Sequence, residues 1–190
     1  MAKLEKTLRE VHKFWSCRIK EWENQDKVPL DDPRHWTRSY YDAVQKTTDS
    51  GWRTEIAQDF KDQKKKDASG KPLITKDHFM LPQLYGQFLL DNWYLVEKID
   101  DFIEWALLGA QIIYTTKKEN TELSQQSPKN SGFWGLRNGE TFLKCSIKDK
   151  YKVLGIRLGN EKEGTYNIGG EFPIDIPKEY IEYTDKFVKK

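Results

Sequence analysis

The feature that most constrains this fold is an apolar-rich stretch over residues 81–116, the longest in the chain. Its most apolar part, residues 102–114, still contains Glu104 and Gln111 and is shorter than the roughly 20 apolar residues that a membrane-spanning helix needs. Charged side chains upstream would be costly in hydrocarbon. They are Asp91, Glu97, Lys98, Asp100 and Asp101. We therefore predict that the stretch forms the central helix of a soluble bundle and that no membrane is among the partners.

Three earlier segments repeat apolar side chains every three or four residues, which is typical of amphipathic helices. They are residues 3–24, residues 32–48, where Pro33 suits the first helical turn, and residues 52–65. Turn-forming residues separate the last two segments at positions 48–51. Together with the central stretch, these segments predict an N-terminal bundle of about four helices within residues 1–118.

Composition and spacing both change after residue 118. Residues 119–131 are mostly polar and predict a connector between two parts of the chain. Beyond it, apolar side chains alternate with polar ones, and Asn138-Gly139 is a strong signal for a tight β-hairpin. The predicted strands are residues 133–137, 141–147, 151–158 and 172–176, and the predicted closing helix is 178–188. The pattern therefore predicts an α+β fold, in which residues 132–190 form a small antiparallel β-meander with a C-terminal helix, packed on the bundle.

Charge and cysteine usage limit the environment and the partners. The chain has 32 Lys and Arg residues against 30 Asp and Glu residues, which leaves a net charge of +2. A protein whose whole surface grips nucleic acid is ordinarily more basic, so any such contact must be a local patch. Cys17 and Cys145 lie far apart without a CxxC motif, and no apolar signal segment follows Met1. These features indicate a reducing, cytoplasmic location.

Acidic residues on the central stretch form the first candidate site. Glu97, Asp101 and Glu104 are spaced four and three residues apart and would project from one face of a helix. They can be interpreted as the magnesium ligands of a helical phosphohydrolase, although such charge runs are more often the solvated side of an amphipathic helix. The three histidines are isolated in sequence and match no metal-binding or catalytic spacing. We therefore predict no catalytic residue and no cofactor.

Basic residues form the second candidate site. Lysines and one arginine crowd the predicted meander, where a basic hairpin could contact a nucleic-acid backbone. They are Lys144, Lys148, Lys150, Lys152 and Arg157. A separate cluster consists of Lys61, Lys64, Lys65 and Lys66. Exposed lysines on a short strand edge also prevent edge-to-edge aggregation, which is the more common role for them.

The aromatic content suggests a class of function. The chain has seven tryptophans, and most of them fall on predicted helices. A small bundle has limited room for such rings, so one or two are candidates for exposed anchors that bind a partner. Without a catalytic motif, this favours a non-enzymatic, intracellular protein-interaction protein, such as a subunit, adaptor or inhibitor of a larger assembly. Two alternatives stay open: an accessory nucleic-acid-binding protein that uses the basic hairpin, and the magnesium-dependent phosphohydrolase.

Overall fold

The computed structural model describes residues 2–24, 34–44, 48–124, 143, 145–160, 162–168 and 176–188. The α-helices are α1 (Ala2–Asn24), α2 (Arg34–Val44), α3 (Glu55–Asp62), α4 (Pro82–Asp91), α5 (Ile99–Gly109), α6 (Lys117–Ser124) and α7 (Lys178–Asp185). The strands are β1 (Thr48–Thr54), β2 (Ile74–His78), β3 (Gln111–Thr116), β4 (Arg157–Asn160) and β5 (Tyr166–Ile168). Short 3₁₀ helices occupy Trp93–Leu95, Ile147–Asp149 and Lys152–Leu154. The predicted α+β class is confirmed.

The chain packs as two compact units. Unit 1 contains Met1–Thr48 and Met80–Gln111, and unit 2 contains Asp49–Phe79 and Ile112–Lys190. Both units use chain from before and after residue 80, so they interleave in sequence, whereas the predicted domains are consecutive. Much of the predicted connector lies outside the described residues. None of the helices in the described ranges combines the length and the apolarity that a membrane crossing requires.

Unit 1 is built from four helices around an aromatic core. Helix α1 packs against α2 and α5, and α2 packs against α4. The amphipathic spacing that predicted the first two helices is confirmed, because Leu4, Leu8, Val11 and Trp15 of α1 and Trp36, Tyr40 and Val44 of α2 are buried. Five fully buried aromatic side chains fill this core. They are Trp15, Tyr40, Tyr85, Phe88 and Phe102.

The polar atoms of these rings are satisfied within the core. The Trp15 indole nitrogen donates to the carbonyl oxygen of Trp36 at 3.2 Å and to the Ser39 hydroxyl at 3.1 Å. The Tyr40 and Tyr85 hydroxyls donate to backbone carbonyl oxygens of α5 at 3.2 and 2.9 Å. Because a buried polar atom without a partner is costly, these bonds let the unit bury large amphipathic rings.

Close packing explains the glycine at the end of α5. A Cβ atom added at Gly109 would collide with the Tyr85 ring and with the Tyr40 hydroxyl. The helix can therefore approach both tyrosines only without a side chain at this position.

The predicted single helix over residues 81–116 is wrong. Helix α4 ends at Asp91, and Asn92 leaves helical geometry with φ −118° and ψ 41° while its side-chain amide donates to the Phe88 carbonyl oxygen at 2.8 Å. Such a local bond competes with helix continuation. The chain then forms the 3₁₀ helix Trp93–Leu95, α5 and finally β3, where the β-branched pairs Ile112-Ile113 and Thr115-Thr116 favour a strand.

Unit 2 is organised by a five-stranded sheet with the strand order β2-β3-β1-β4-β5. Strands β2 and β3 are antiparallel, with Ile74 opposite Thr116 and His78 opposite Ile112. Strand β4 is antiparallel to both β1 and β5. Helix α3 packs against β2 and β4, α6 packs against β2, and α7 packs against the 3₁₀ helix Ile147–Asp149. The sheet therefore takes three strands from residues 1–118, where helices and their connecting turns and loops were predicted but no strand.

The predicted turn at 48–51 and helix at 52–65 need correction. Residues 48–54 form β1, and the helix begins only at Glu55, where the Thr54 hydroxyl accepts from the Ala57 amide at 3.1 Å. This is an ordinary N-cap, and it sets the start of α3. Trp52 has the spacing of the helical pattern, but pairing of β1 with β4 places it in the sheet.

The C-terminal part agrees with its prediction only in places. The closing helix is confirmed as α7. The predicted strand 151–158 is wrong over most of its length, because a 3₁₀ helix occupies Lys152–Leu154 and Gly155 follows it in the left-handed region at φ 63°. Strand β4 starts only at Arg157. The Asn138-Gly139 hairpin and nearly all of the strands predicted at 133–137 and 172–176 lie outside the described residues.

Candidate functional site

The acidic candidates lie on unit 1 and do not form a metal centre in the described part of the chain. Glu97, Asp101 and Glu104 are all exposed. No three His, Cys, Asp or Glu side chains among the described residues come together in a way that could hold a metal ion. The Glu97 carbonyl oxygen contacts Nε2 of His12 at 2.9 Å, and Asp101 lies in the first turn of α5, where a carboxylate stabilises the helix dipole. The geometry thus gives no support to a magnesium-dependent phosphohydrolase.

One of the basic candidates is buried. Lys150 is only 4% exposed, and its ammonium group donates to Oδ2 of Asp77 at 2.7 Å and to the His78 carbonyl oxygen at 2.9 Å. The expectation that Lys150 faces a phosphate backbone does not fit this position. The cause is local structure, because Lys150 lies between the 3₁₀ helices Ile147–Asp149 and Lys152–Leu154 and not in a strand.

The remaining basic candidates do not form a hairpin surface in the described residues. Lys148 and Lys152 are exposed on the two 3₁₀ helices of unit 2. Arg157 donates to the Tyr166 carbonyl oxygen at 2.8 Å and lies 3.3 Å from the Glu55 carboxylate. Lys144 lies outside the described residues. Among the described residues, Lys148 and Lys152 are therefore the two members of the predicted set that are exposed and lie outside the sheet.

A buried polar network surrounds Lys150 in unit 2. The Tyr151 hydroxyl donates to the same Asp77 oxygen at 2.6 Å, and the Tyr151 ring stacks on Phe79 with 6.3 Å between ring centroids. Burial, and after it the charge of Asp77, raises the pKa of Tyr151 well above its ordinary value. Tyr151 therefore stays protonated as a donor, Asp77 accepts twice and Lys150 neutralises its charge. This arrangement stabilises the packing of unit 2. Lys150 and Tyr151 are both bonded to Asp77.

A second buried carboxylate in unit 2 has an equally structural role. Oε2 of Glu119 accepts from the Thr54 hydroxyl at 2.7 Å and from the Thr116 amide at 2.8 Å. The Glu119 amide in turn donates to the Thr116 hydroxyl at 3.1 Å. This is a capping box, which starts α6 directly after β3, and the sequence Thr116-Lys117-Lys118-Glu119 carries its signature.

The most exposed aromatic residue described in unit 1 is a tyrosine and not a tryptophan. Tyr94 is 73% exposed, the highest value among the exposed large hydrophobic side chains of the described residues. By contrast, Trp15 and Trp36 are buried, and the other tryptophans with described side chains are half-buried. The expectation of a tryptophan anchor is therefore not met in the described residues. Sequence reasoning missed Tyr94 because it placed this residue inside a continuous helix.

Carboxylates surround Tyr94 in sequence and are all exposed. They are Asp91, Glu97, Asp100, Asp101 and Glu104, and Lys98 is the one basic residue among them. Asp100 lies 3.5 Å from the Arg9 guanidinium group. We name Tyr94 together with Asp91, Glu97, Asp101 and Glu104 the Tyr94 surface. Over residues 91–104, the described side chains thus combine one exposed ring with five exposed carboxylates and one exposed lysine.

Comparison with known proteins adds no family to this geometry. No family model, no curated protein and no solved structure matches the chain. The site residues therefore have to be assigned a role from their own burial, contacts and charge.

Proposed function

We propose that this chain is a non-enzymatic protein-interaction protein, a subunit or adaptor of a larger assembly, and that its partner contacts the Tyr94 surface. The observation that carries the proposal is the 73% exposure of Tyr94. Tyrosine is enriched at binding hot spots, where a large ring adds contact area and its hydroxyl group adds a hydrogen bond.

The backbone next to Tyr94 is held in place by half-buried and buried neighbours. The ring of Trp93 stacks on the His12 ring with 5.2 Å between centroids and lies 6.3 Å from the Phe102 ring. On the other side, Val96 is fully buried, and its amide donates to the Trp93 carbonyl oxygen at 2.9 Å. Binding through a ring on such a fixed turn orders little additional chain, which favours affinity.

The charge of the Tyr94 surface favours a partner segment that carries lysine or arginine. Exposed carboxylates attract such a segment over a distance of about one Debye length, roughly 8 Å at physiological salt. At the surface, a guanidinium or ammonium group can stack on the Tyr94 ring and gain about 0.5–1 kcal/mol at an exposed site. The same carboxylates disfavour a nucleic acid at this position.

Site-specific photo-crosslinking in the native host tests this proposal. A photoreactive phenylalanine analogue at position 94 should crosslink a discrete protein, which mass spectrometry then identifies. The matched control carries the same analogue at Phe14, which is 43% exposed in unit 1 but packs against Trp36 with 6.1 Å between centroids. Equal crosslinking at positions 14 and 94, or none at 94, would contradict the proposal.

Affinity for the crosslinked protein gives the second readout. We expect Tyr94→Ala to weaken binding by about 30-fold, which corresponds to the roughly 2 kcal/mol of a hot-spot residue. Tyr94→Phe keeps the ring and should bind within a few-fold of the wild type. Unchanged affinity of Tyr94→Ala would show that the surface is not used.

A further inference from the structure

Backbone hydrogen bonds join three separate segments of unit 2 that carry exposed lysines. The Leu73 amide donates to the Lys65 carbonyl oxygen at 3.2 Å, and the Lys117 amide donates to the Leu73 carbonyl oxygen at 2.9 Å. A β-bridge also joins Lys66 to Pro72. We name the exposed residues of these segments the lysine surface. They are Lys64, Lys65, Lys66, Lys71, Lys117 and Lys118.

One aspartate orders the loop that presents these side chains. Oδ1 of Asp67 accepts from the Ser69 amide and hydroxyl at 2.9 and 2.6 Å and from the Lys71 amide at 3.0 Å, while Oδ2 binds Nζ of Lys117 at 2.6 Å. The hydrogen bond from Lys117, followed by that from the Ser69 hydroxyl, holds the pKa of Asp67 far below its usual range. Gly70 supplies the left-handed turn at φ 77°. The lysines thus stand on an ordered backbone.

The lysine surface keeps an excess of positive charge. Among its carboxylate neighbours, Asp67 is engaged with Lys117, and Glu122 lies 3.9 Å from Lys118. A third, Asp62, is exposed two residues before Lys64 and accepts from the Gln58 side-chain amide at 2.9 Å. Glu119, also in α6, is buried in its capping box and does not reach this surface. Six exposed lysines against these carboxylates leave a local basic patch in a chain whose net charge is only +2.

We infer that the lysine surface binds the phosphate backbone of a nucleic acid without reading its bases. Lysine ammonium groups are compact charges that suit phosphate oxygens, and backbone contacts alone carry no sequence information. The Lys65 ammonium group lies over one face of the Phe60 ring at 4.5 Å, and Phe60 is not among the exposed large hydrophobic side chains of the described residues, so it offers a base little stacking surface. The inference is independent of the Tyr94 surface, and it involves different residues from the predicted basic hairpin.

Two other acidic partners fit the lysine surface less well. The exposed large hydrophobic side chains of the described residues are Phe14, Ile56, Tyr94, Val153 and Ile168, and none of them lies in the segments that carry these lysines. An interfacial membrane site usually inserts such side chains beside its basic residues. Protein interfaces are depleted in lysine and enriched in aromatic residues and arginine. A lysine-only surface therefore favours a nucleic-acid backbone.

Fluorescence anisotropy with a labelled 20-base-pair DNA duplex of arbitrary sequence tests the inference on the full chain. We expect binding at 50 mM salt that weakens about 100-fold at 200 mM, as neutralisation of roughly four phosphates implies. Replacing the duplex by one of scrambled sequence should change the affinity less than twofold. A wild-type chain that does not bind the duplex at 50 mM salt would overturn the inference.

Charge-reversal variants locate the binding surface. The triple variant Lys66→Glu, Lys71→Glu, Lys118→Glu should lose at least 100-fold in affinity, and the corresponding Gln variant should lose about 10-fold while keeping its fold. The control reverses the same number of charges at exposed positions elsewhere in unit 2, with Lys148→Glu, Lys152→Glu and Lys162→Glu. Equal losses in test and control variants would contradict the inference. If the chain bound vesicles with 30% phosphatidylserine but not the duplex, the inferred partner would be a membrane surface and the nucleic-acid inference would be wrong.

Discussion

The two units of this protein stabilise their interiors in different ways. Unit 1 fills its core with aromatic rings, and their few polar atoms donate to carbonyl oxygens of neighbouring helices. Unit 2 instead buries charged groups, with Lys150 and Asp77 paired at 2.7 Å and Tyr151 bonded to the same carboxylate. Aromatic packing contributes mainly through buried area, whereas a buried ion pair adds little net stability but penalises any arrangement that separates its members.

The exposed sides of the units differ in charge as well. Around Tyr94, the exposed groups of unit 1 are mostly carboxylates, whereas the loop after α3 and the start of α6 in unit 2 expose lysines. Although the net charge of the chain is only +2, the two units expose local groups of residues with opposite charge. Local charge, rather than total charge, decides which partners each surface can attract.

The largest effect should come from the core of unit 1. Trp15→Ala removes a fully buried ring and should lower the free energy of unfolding by about 3–5 kcal/mol. Trp15→Phe retains much of the packing and should cost less. Urea unfolding measures both variants, and hydrogen exchange resolved by residue shows whether protection is lost first in α1, α2 and α5. A cost below about 1 kcal/mol for the alanine variant would contradict an aromatic core.

The ion pair of unit 2 should show strong coupling. Lys150→Met leaves the Asp77 carboxylate, whose side chain is only 13% exposed, without its cation and should cost about 3 kcal/mol. Adding Asp77→Leu should recover part of this loss, so that the double-mutant cycle gives a coupling of at least about 1 kcal/mol. Lys178→Met breaks an exposed pair with Glu182 in the same unit and serves as the control, with an expected cost below about 0.5 kcal/mol. Additive costs at Lys150 and Asp77 would exclude a coupled pair.

A smaller effect with a distinct pH dependence is expected at Tyr151. Tyr151→Phe removes a hydrogen bond to a carboxylate and should cost about 2 kcal/mol at neutral pH. In the wild type, burial and Asp77 raise the Tyr151 pKa, so the folded chain holds this proton more tightly than the unfolded chain does. The resulting stability is complete below about pH 10 and declines as the pH rises further. Equilibrium unfolding between pH 8 and 11 should show a flatter decline for the phenylalanine variant, and parallel curves would refute this role.

The regular spacing of apolar side chains was enough to predict the helices that bury a single continuous apolar face. The steps of three and four residues from Leu4 to Trp15 and from Trp36 to Tyr40 correctly indicated α1 and α2. Trp52 continued the same spacing, yet it lies in β1, because pairing with β4 outweighs local preference there. Sheet pairing joins segments about a hundred residues apart in sequence, and no local pattern contains that information.

The site residues were harder to predict than the helices and strands, because their burial and grouping depend on contacts between segments far apart in sequence. Lys150 looked exposed in sequence, and only its approach to Asp77, 73 residues earlier, shows that it is buried. Tyr94 is exposed because Asn92 ends α4 just before it, and an asparagine after a polar Asp91 was a usable but weak signal. Lys117 belongs to the lysine surface because its amide donates to the Leu73 carbonyl oxygen. No sequence motif predicts this hydrogen bond.

We propose that each unit carries its own binding surface, and a crossed measurement with two variants tests this proposal most directly. Affinity for the DNA duplex and affinity for the protein crosslinked at position 94 are measured for Tyr94→Ala and for the triple variant Lys66→Glu, Lys71→Glu, Lys118→Glu. We expect Tyr94→Ala to weaken only protein binding and the triple variant to weaken only DNA binding, each with less than a twofold change in the other affinity. If either folded variant lost both activities together, the assignment of two separate surfaces would be wrong.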